Sequence, residues 1–225
     1  MDIIDDYNKL SLGKYIEIQA ISEDESLEEI DRQAQILSVL TGVSENEIIH
    51  LPIVEYKGLV SRTAFLLNYK DIKYRNVAKK YILGKWELIP VRDFRKIETC
   101  QYIDFQTYAP DLDKHLVEFL SVILVPKGHR YNEGYDILEV QQAIREEMSV
   151  TDGVSLAGFF LTWCRQSILD SLNYSRKEAM KIKDKKERER ILERIREEEI
   201  RLQPNGDGSQ MSMQSPKLAD APGTK

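Results

Sequence analysis

Two carboxylates, Glu17 and Asp104, sit in near-identical settings, "KYIEIQ" and "QYIDFQ". Paired acids are what general acid–base chemistry needs, one protonated to donate and one charged to accept. His115 and Tyr102 are further titratable groups that a fold could carry to such a site. The same symmetry suits a structural role near two helix starts, and a duplicated catalytic site would bring more polar partners with it. The structural reading is therefore preferred, and a fold-assembled acid/base enzyme is kept as the alternative.

Other chemistry leaves little trace. His50, His115 and His129 are dispersed and form no HxxxH or HExxH spacing, so no metal site is expected. Cys100 and Cys164 are far apart and make no CxxC, which suggests neither a disulfide framework nor a thiolate site and fits reduced cytosol. "TDGVSLAGFF" lacks the glycine spacing that brings backbone amides around phosphate, and no GxSxG elbow is present. No cofactor is expected.

The elements that hold these residues are written twice. "KLSLGKYIEIQA" (9–20) returns 87 residues on as "KIETCQYIDFQT" (96–107), with Lys9/Lys96, Tyr15/Tyr102, Ile16/Ile103 and Gln19/Gln106 identical. A second block, "IDRQAQILSVLTG" (30–42), answers to "LDKHLVEFLSVILVPKG" (112–128). A third, "LPIVEYKGLVSRTAFLL" (51–67), answers to "MSVTDGVSLAGFFLTWC" (148–164) with Leu59 against Leu156. Ile30, Ala34, Leu37 and Thr41, like Leu112, Leu116, Phe119 and Ile123, recur at helical spacing. Ser11 and Thr99 are plausible N-caps for the opening helices. Gln19 and Gln106 could bridge helices by hydrogen bonds, with Tyr15 and Tyr102 as packing anchors. Phe159, Phe160, Leu161 and Trp163 read as a buried helix face. Between the copies, Tyr81/Leu83 and Trp86/Leu88 alternate around Gly84-Lys85, as a hairpin does.

The predicted fold is mainly α with a small β-hairpin (α+β). It has a first helical module over 1–78, a hairpin connector over 79–94, a second module over 95–174, a charged helix over 175–202 and a disordered tail over 203–225. Residues 1–174 hold 28 acidic and 19 basic residues, a net −9, whereas 175–202 holds 8 acidic and 11 basic, a net +3. An acidic body argues against broad nucleic-acid binding. The last helix, roughly 42 Å if continuous, carries a broken stripe of Ala179, Ile182, Ile191, Ile195 and Leu202, of which Ile191 and Ile195 are candidate partner contacts. The acidic start "MDIIDDYNKL" is unlike a signal peptide, and the strongest apolar run, "LAGFFLTW", is too short for a membrane span.

The blocks "LSLGKYIEIQ" and "TCQYIDFQ", each followed by a helix closed by Gly or Pro-Lys-Gly and then an apolar helix, resemble small tailed-phage morphogenesis and virion proteins. Among these are tail-assembly-chaperone-like proteins of phages infecting Bacteroidetes. The resemblance covers 1–174 and implies a non-enzymatic protein of the host cytoplasm or virion. Such a protein binds other phage structural proteins, of tail, portal or connector, with oligomerisation left open. Tyr15, Gln19, Tyr102, Gln106, Ile191 and Ile195 are the candidate partner-binding residues; a cytosolic adaptor unrelated to phage would use the same surface.

Overall fold

Local signals start and stop the first helices. In the computed structural model, which describes residues 1–67, 72–93 and 96–201, α1 (Leu12–Glu23) opens at Ser11, whose hydroxyl accepts from the Lys14 N–H at 3.4 Å. α2 (Glu29–Thr41) ends at Gly42, where a φ of 73° is cheap only for glycine. α3 (Glu45–Ile49) begins in a capping box between Ser44 and Glu47, and α4 (Ile53–Arg62) follows Pro52. A 3-10 turn, Thr63–Leu67, closes the series.

The second series repeats this order: α5 (Thr99–Tyr108), a 3-10 turn at Ala109–Asp111, α6 (Leu112–Ile123), α7 (Ile137–Glu147) and α8 (Val150–Ala179). Leu12 and Thr99, the first residues of α1 and α5, are partners in the opening alignment. Glu29 and Leu112 open α2 and α6 at the register in which the Leu-Ser-Val of the second block coincides, Leu37 against Leu120, and Ile53 and Val150 open α4 and α8 at that of the third. Burial follows the same registers: Ala34, Leu37 and Leu40 are buried, as are their counterparts Val117, Leu120 and Ile123. In both series the first helix packs on the second and the second on the third, with α7 a longer counterpart of α3. α7 also packs on α1, where Gly13 allows close approach: a Cβ there would stand 2.9 Å from the Arg145 carbonyl oxygen.

Three local expectations are corrected. Thr99 is the first helical residue, and Glu98, in extended conformation, is the N-cap. The helix expected to run to the Pro-Lys-Gly stop ends at Ile123, and Leu124–Pro126 form a strand, β3. Pro126 has no N–H for the Val122 carbonyl four residues back, so the helix ladder cannot continue there. Ile30, placed on the buried stripe of α2, is exposed.

β1 (Tyr81–Leu83) and β2 (Trp86–Pro90) form the expected hairpin, with Leu83 opposite Trp86 and a φ of 53° at Gly84; its expected last residue, Phe94, lies outside the described residues. β3 adds to β2, giving a three-stranded antiparallel sheet in the order β1-β2-β3. The turn is fixed to α7, because the Glu147 carboxylate accepts from the Gly84 N–H at 2.7 Å and Lys85 reaches Glu139 at 2.6 Å.

The molecule is mainly α with this small sheet. It divides into two compact units, Met1–Ala157 and Gly158–Lys225, so both helix series up to the start of α8 belong to the first. That unit has its core in Leu10, Leu12, Leu37, Leu40, Ile48, Leu88, Phe119, Leu120, Ile144 and Leu156. In the second unit, the single charged helix expected over Ser175–Leu202 is instead the end of α8, a break after Ala179, and α9 (Lys185–Arg201). Asp184 makes the break a new start, accepting the Glu187 N–H at 3.0 Å. Arg176 grips Glu199 with contacts of 2.6 Å, which ties the end of α8 to the last turn of α9. Leu202 and the tail expected to be disordered, 203–225, lie outside the described residues. Among the described residues no helix is long and apolar enough to cross a membrane.

Candidate functional site

A tyrosine and a glutamine four residues apart share one face of a helix. In α1 the Gln19 amide donates to the Tyr15 hydroxyl oxygen at 2.7 Å; in α5 Gln106 donates to Tyr102, also at 2.7 Å. Ile18 and Phe105, one residue before each glutamine, are buried and anchor both helices in the same way. Just upstream the repeat recurs again in charge: Lys9 stands 3.7 Å from Asp6, and Lys96 stands 3.8 Å from Asp93. Two equivalent helices therefore hold one side-chain arrangement.

That arrangement faces solvent. Gln19 and Gln106 are exposed, Tyr102 is 40% and its neighbour Ile103 57% exposed, and Tyr15 is half-buried edge-on to Tyr7 with ring centres 6.2 Å apart. The expected bridging of helices by Gln19 and Gln106 is corrected, since each amide serves its own helix. Gln101 does the bridging instead. Buried on α5, it donates to the Val122 carbonyl of α6 at 2.6 Å. The next carbonyl, Ile123, receives the Val91 N–H at 2.9 Å, so the last turn of α6 is capped by two other elements.

The acid/base candidates are placed apart in their partnerships. Asp104 accepts from the Tyr131 hydroxyl at 2.7 Å, tying the loop after β3 to α5. Burial first, and this hydrogen bond second, push the Tyr131 hydroxyl well above the usual phenol range, so it stays a donor. His115 sits at a kink in α6, with φ −119° and ψ 26°, its ring 5.5 Å from that of Tyr108. Glu17 is exposed on α1. Asp104 accepts from Tyr131 and Tyr102 accepts from Gln106, so these two candidates make hydrogen bonds to different partners.

The second unit holds the remaining candidates. Ile191 is half-buried, but Ile195 is buried, as is Ala179, so the expectation that Ile195 offers a partner contact is corrected. Two residues of the broken stripe, Ala179 and Ile195, are thus covered within the fold. Phe160 is buried and meets Trp163 edge-on at 5.7 Å, while Phe159, Leu161 and Trp163 are half-buried. A depression of about 400 Å³ is lined by Asp170, Asn173, Tyr174, Arg176 and Lys177, all on α8. Among the described residues no group of three His, Cys, Asp or Glu is placed to hold a metal ion.

Sequence reasoning missed Gln101 and Tyr131, whose signals are faint. Gln101 stands one residue from the noticed Tyr-Ile-acid block, and Tyr131 lies within a run of Gly, Pro and Asn that reads as a connection. The Arg176–Glu199 clamp was invisible because charge at helical spacing reads as intrahelical pairing. Compared with known proteins, the chain matches no family model, no curated protein and no solved structure.

Proposed function

We propose that this chain is a non-enzymatic assembly protein that works through protein contacts, and that its setting is tailed-phage head or tail morphogenesis, as the resemblance of its repeated blocks implies. One observation carries the reading: the Tyr15–Gln19 and Tyr102–Gln106 pairs keep the same identity and the same 2.7 Å hydrogen bond at solvent-facing positions of two helices. Buried positions repeat because packing demands it, whereas exposed ones are under no such demand. Aromatic rings with a fixed polar rim are the side chains that dominate protein interfaces. The partners are other phage structural proteins of tail, portal or connector, and the places of work are the host cytoplasm or the virion.

The test is co-expression with tail, portal and connector proteins and capture of the tagged chain. Capture of one of them, weakened at least about tenfold when Tyr102 and Gln106 are both changed to alanine, supports the reading. Turnover of a substrate that is lost in Asp104→Ala and His115→Ala, with folding intact, would replace it by the acid/base enzyme.

A further inference from the structure

The two helix series differ at one place that matters for binding. At the start of α8 the chain's own segment Tyr7–Leu12 lies across the helix end: the Leu12 N–H donates to the Met148 carbonyl and the Val150 N–H to the Leu10 carbonyl, both at 2.9 Å, bridging Ser11 to Ser149 antiparallel. The Thr151 N–H adds a 3.4 Å bond to the Tyr7 carbonyl. Leu10 and Leu12 are fully buried there, and so are Met148, Val150 and Thr151.

The register-equivalent place in the first series is the start of α4, where Leu51, Pro52, Ile53 and Val54 stand for Met148, Ser149, Val150 and Thr151. Among the described residues no segment is bridged across this helix start. Ile53 is 63% and Val54 80% exposed, with Ile49 beside them at 54%. Among the described residues no hydrogen bond reaches the Ile53 N–H or the Leu51 carbonyl. Pro52 does not spoil the slot, because its counterpart Ser149 contributes no N–H to the bridge. The exposed apolar side chains and the two backbone groups thus reproduce the edge that Tyr7–Leu12 occupies on its twin.

We infer that the start of α4 is a docking site for an extended segment of a partner protein, held by antiparallel backbone pairing to Leu51 and Ile53 and reading an aliphatic–small polar–aliphatic sequence like Leu10-Ser11-Leu12. This is strand-addition recognition at single-bridge scale, with backbone bonds for affinity and alternate side chains for selection. One difference refines the ligand. Leu12 lies over Gly153, where its Cδ1 stands 2.8 Å from where a glycine Cβ would be, whereas the equivalent of Gly153 is Tyr56, which donates to Gln33 at 3.3 Å. The second aliphatic residue of the ligand is therefore smaller than leucine, such as valine or alanine.

The inference rests on the reading of this chain as a protein-binding scaffold and specifies a second contact on it. The probe is a synthetic peptide, Asp-Tyr-Asn-Lys-Leu-Ser-Val-Gly, which copies residues 6–13 with valine at the position of Leu12, titrated into the isotope-labelled full chain by NMR. Saturable shifts at Ile49, Ile53 and Val54, weakened at least about tenfold by aspartate in place of the peptide's leucine or by the exposed-site pair Ile53→Ser and Val54→Ser, support the site. Absence of shifts at millimolar peptide, affinity unaltered by the serine pair, or shifts confined to Met148–Thr151 would overturn it. Self-association of the chain that disappears in the serine pair would overturn the partner-protein assignment in favour of a second copy. Failure here with tail, portal or connector capture still dependent on Tyr102 and Gln106 leaves the assembly reading standing.

Discussion

Gln101 joins two helices through one hydrogen bond, and its importance comes from what its acceptor lacks. The Val122 carbonyl lacks the usual helical donor because the residue four places on is Pro126, and the buried Gln101 amide supplies a donor in its place. Gln101→Ala is expected to cost about 1–3 kcal/mol, read by denaturant unfolding, whereas Gln106→Ala, whose amide faces solvent, changes stability by under about 0.5 kcal/mol. The two cysteines divide in the same way. Cys100 is exposed, while burial pushes the Cys164 thiol up to about 12 and holds it unreactive. A thiol reagent at neutral pH is expected to label one cysteine promptly and the second only on unfolding; prompt labelling of both would mean that this part of α8 opens readily. Asp5 ties the amino-terminal segment to α4 through Arg62 at 2.8 Å, and that hydrogen bond first, then Lys9, lowers its carboxyl to about 2. A carboxylate depressed in the folded state adds stability above its ordinary pKa near 4, and this is lost as pH falls toward 2. Asp5→Asn should therefore be less stable than the parent at pH 7, with the gap closing between about pH 4 and 2; a gap independent of pH would assign the effect to shape and not charge.

At the scale of elements, repetition was the legible signal because the duplicated blocks keep their buried anchors, Ile18 with Phe105 and Leu37 with Leu120, even where the caps differ, Ser11 in α1 and Glu98 in α5. The third strand was not legible. Leu116–Pro126 is one nearly unbroken apolar run, and periodicity alone does not say where a buried helix gives way to a buried strand. Pro126 denies the ladder an N–H, and tertiary demands fix the stop at Ile123, namely the pairing of Leu124–Pro126 with β2 and the capture of two α6 carbonyls by Gln101 and Val91. The break before α9 had a signal of the opposite kind, short and local. No Gly or Pro marks Met180–Asp184, but Asp184 precedes Glu187 by the three residues of an N-terminal capping pattern, and Glu187 donates its N–H to the Asp184 carboxylate. Asp184→Ala is expected to cost α9 about 0.5–2 kcal/mol, seen as reduced protection of the amides of residues 185–190 in hydrogen exchange. Unchanged protection would mean that packing of Ile195 and the Arg176–Glu199 clamp sets the start of α9 without its cap. The candidate surface was only half legible for a related reason. Identity across the repeat singled out Tyr15, Gln19, Tyr102 and Gln106, but the uncovered start of α4 emerges only where the two series are compared in space.

For the whole molecule, duplication and division do not coincide. Two copies of a four-helix order would suggest two domains, yet the first series and the second up to the start of α8 form one compact unit, with α7 packed against both α1 and α6. A core shared in this way predicts one cooperative unfolding transition for residues 1–157, with neither series separable from the other. The carboxyl-terminal segment differs in kind: its +3 contrasts with the −9 of residues 1–174, and its α9 is held to the end of α8 by the Arg176–Glu199 pair. Deleting Ser175–Lys225 removes both sides of that clamp together and leaves no half-buried charge behind. The truncated chain is therefore expected to lose helical signal in circular dichroism while keeping a sharp thermal transition. In capture assays, a partner held by the basic segment would be lost on truncation and would weaken in the full chain as salt rises, since screening reaches exposed charges first. A partner held by the Tyr–Gln faces would survive both. Loss of the thermal transition on truncation would show that the core of the first unit needs the remainder of the chain to fold.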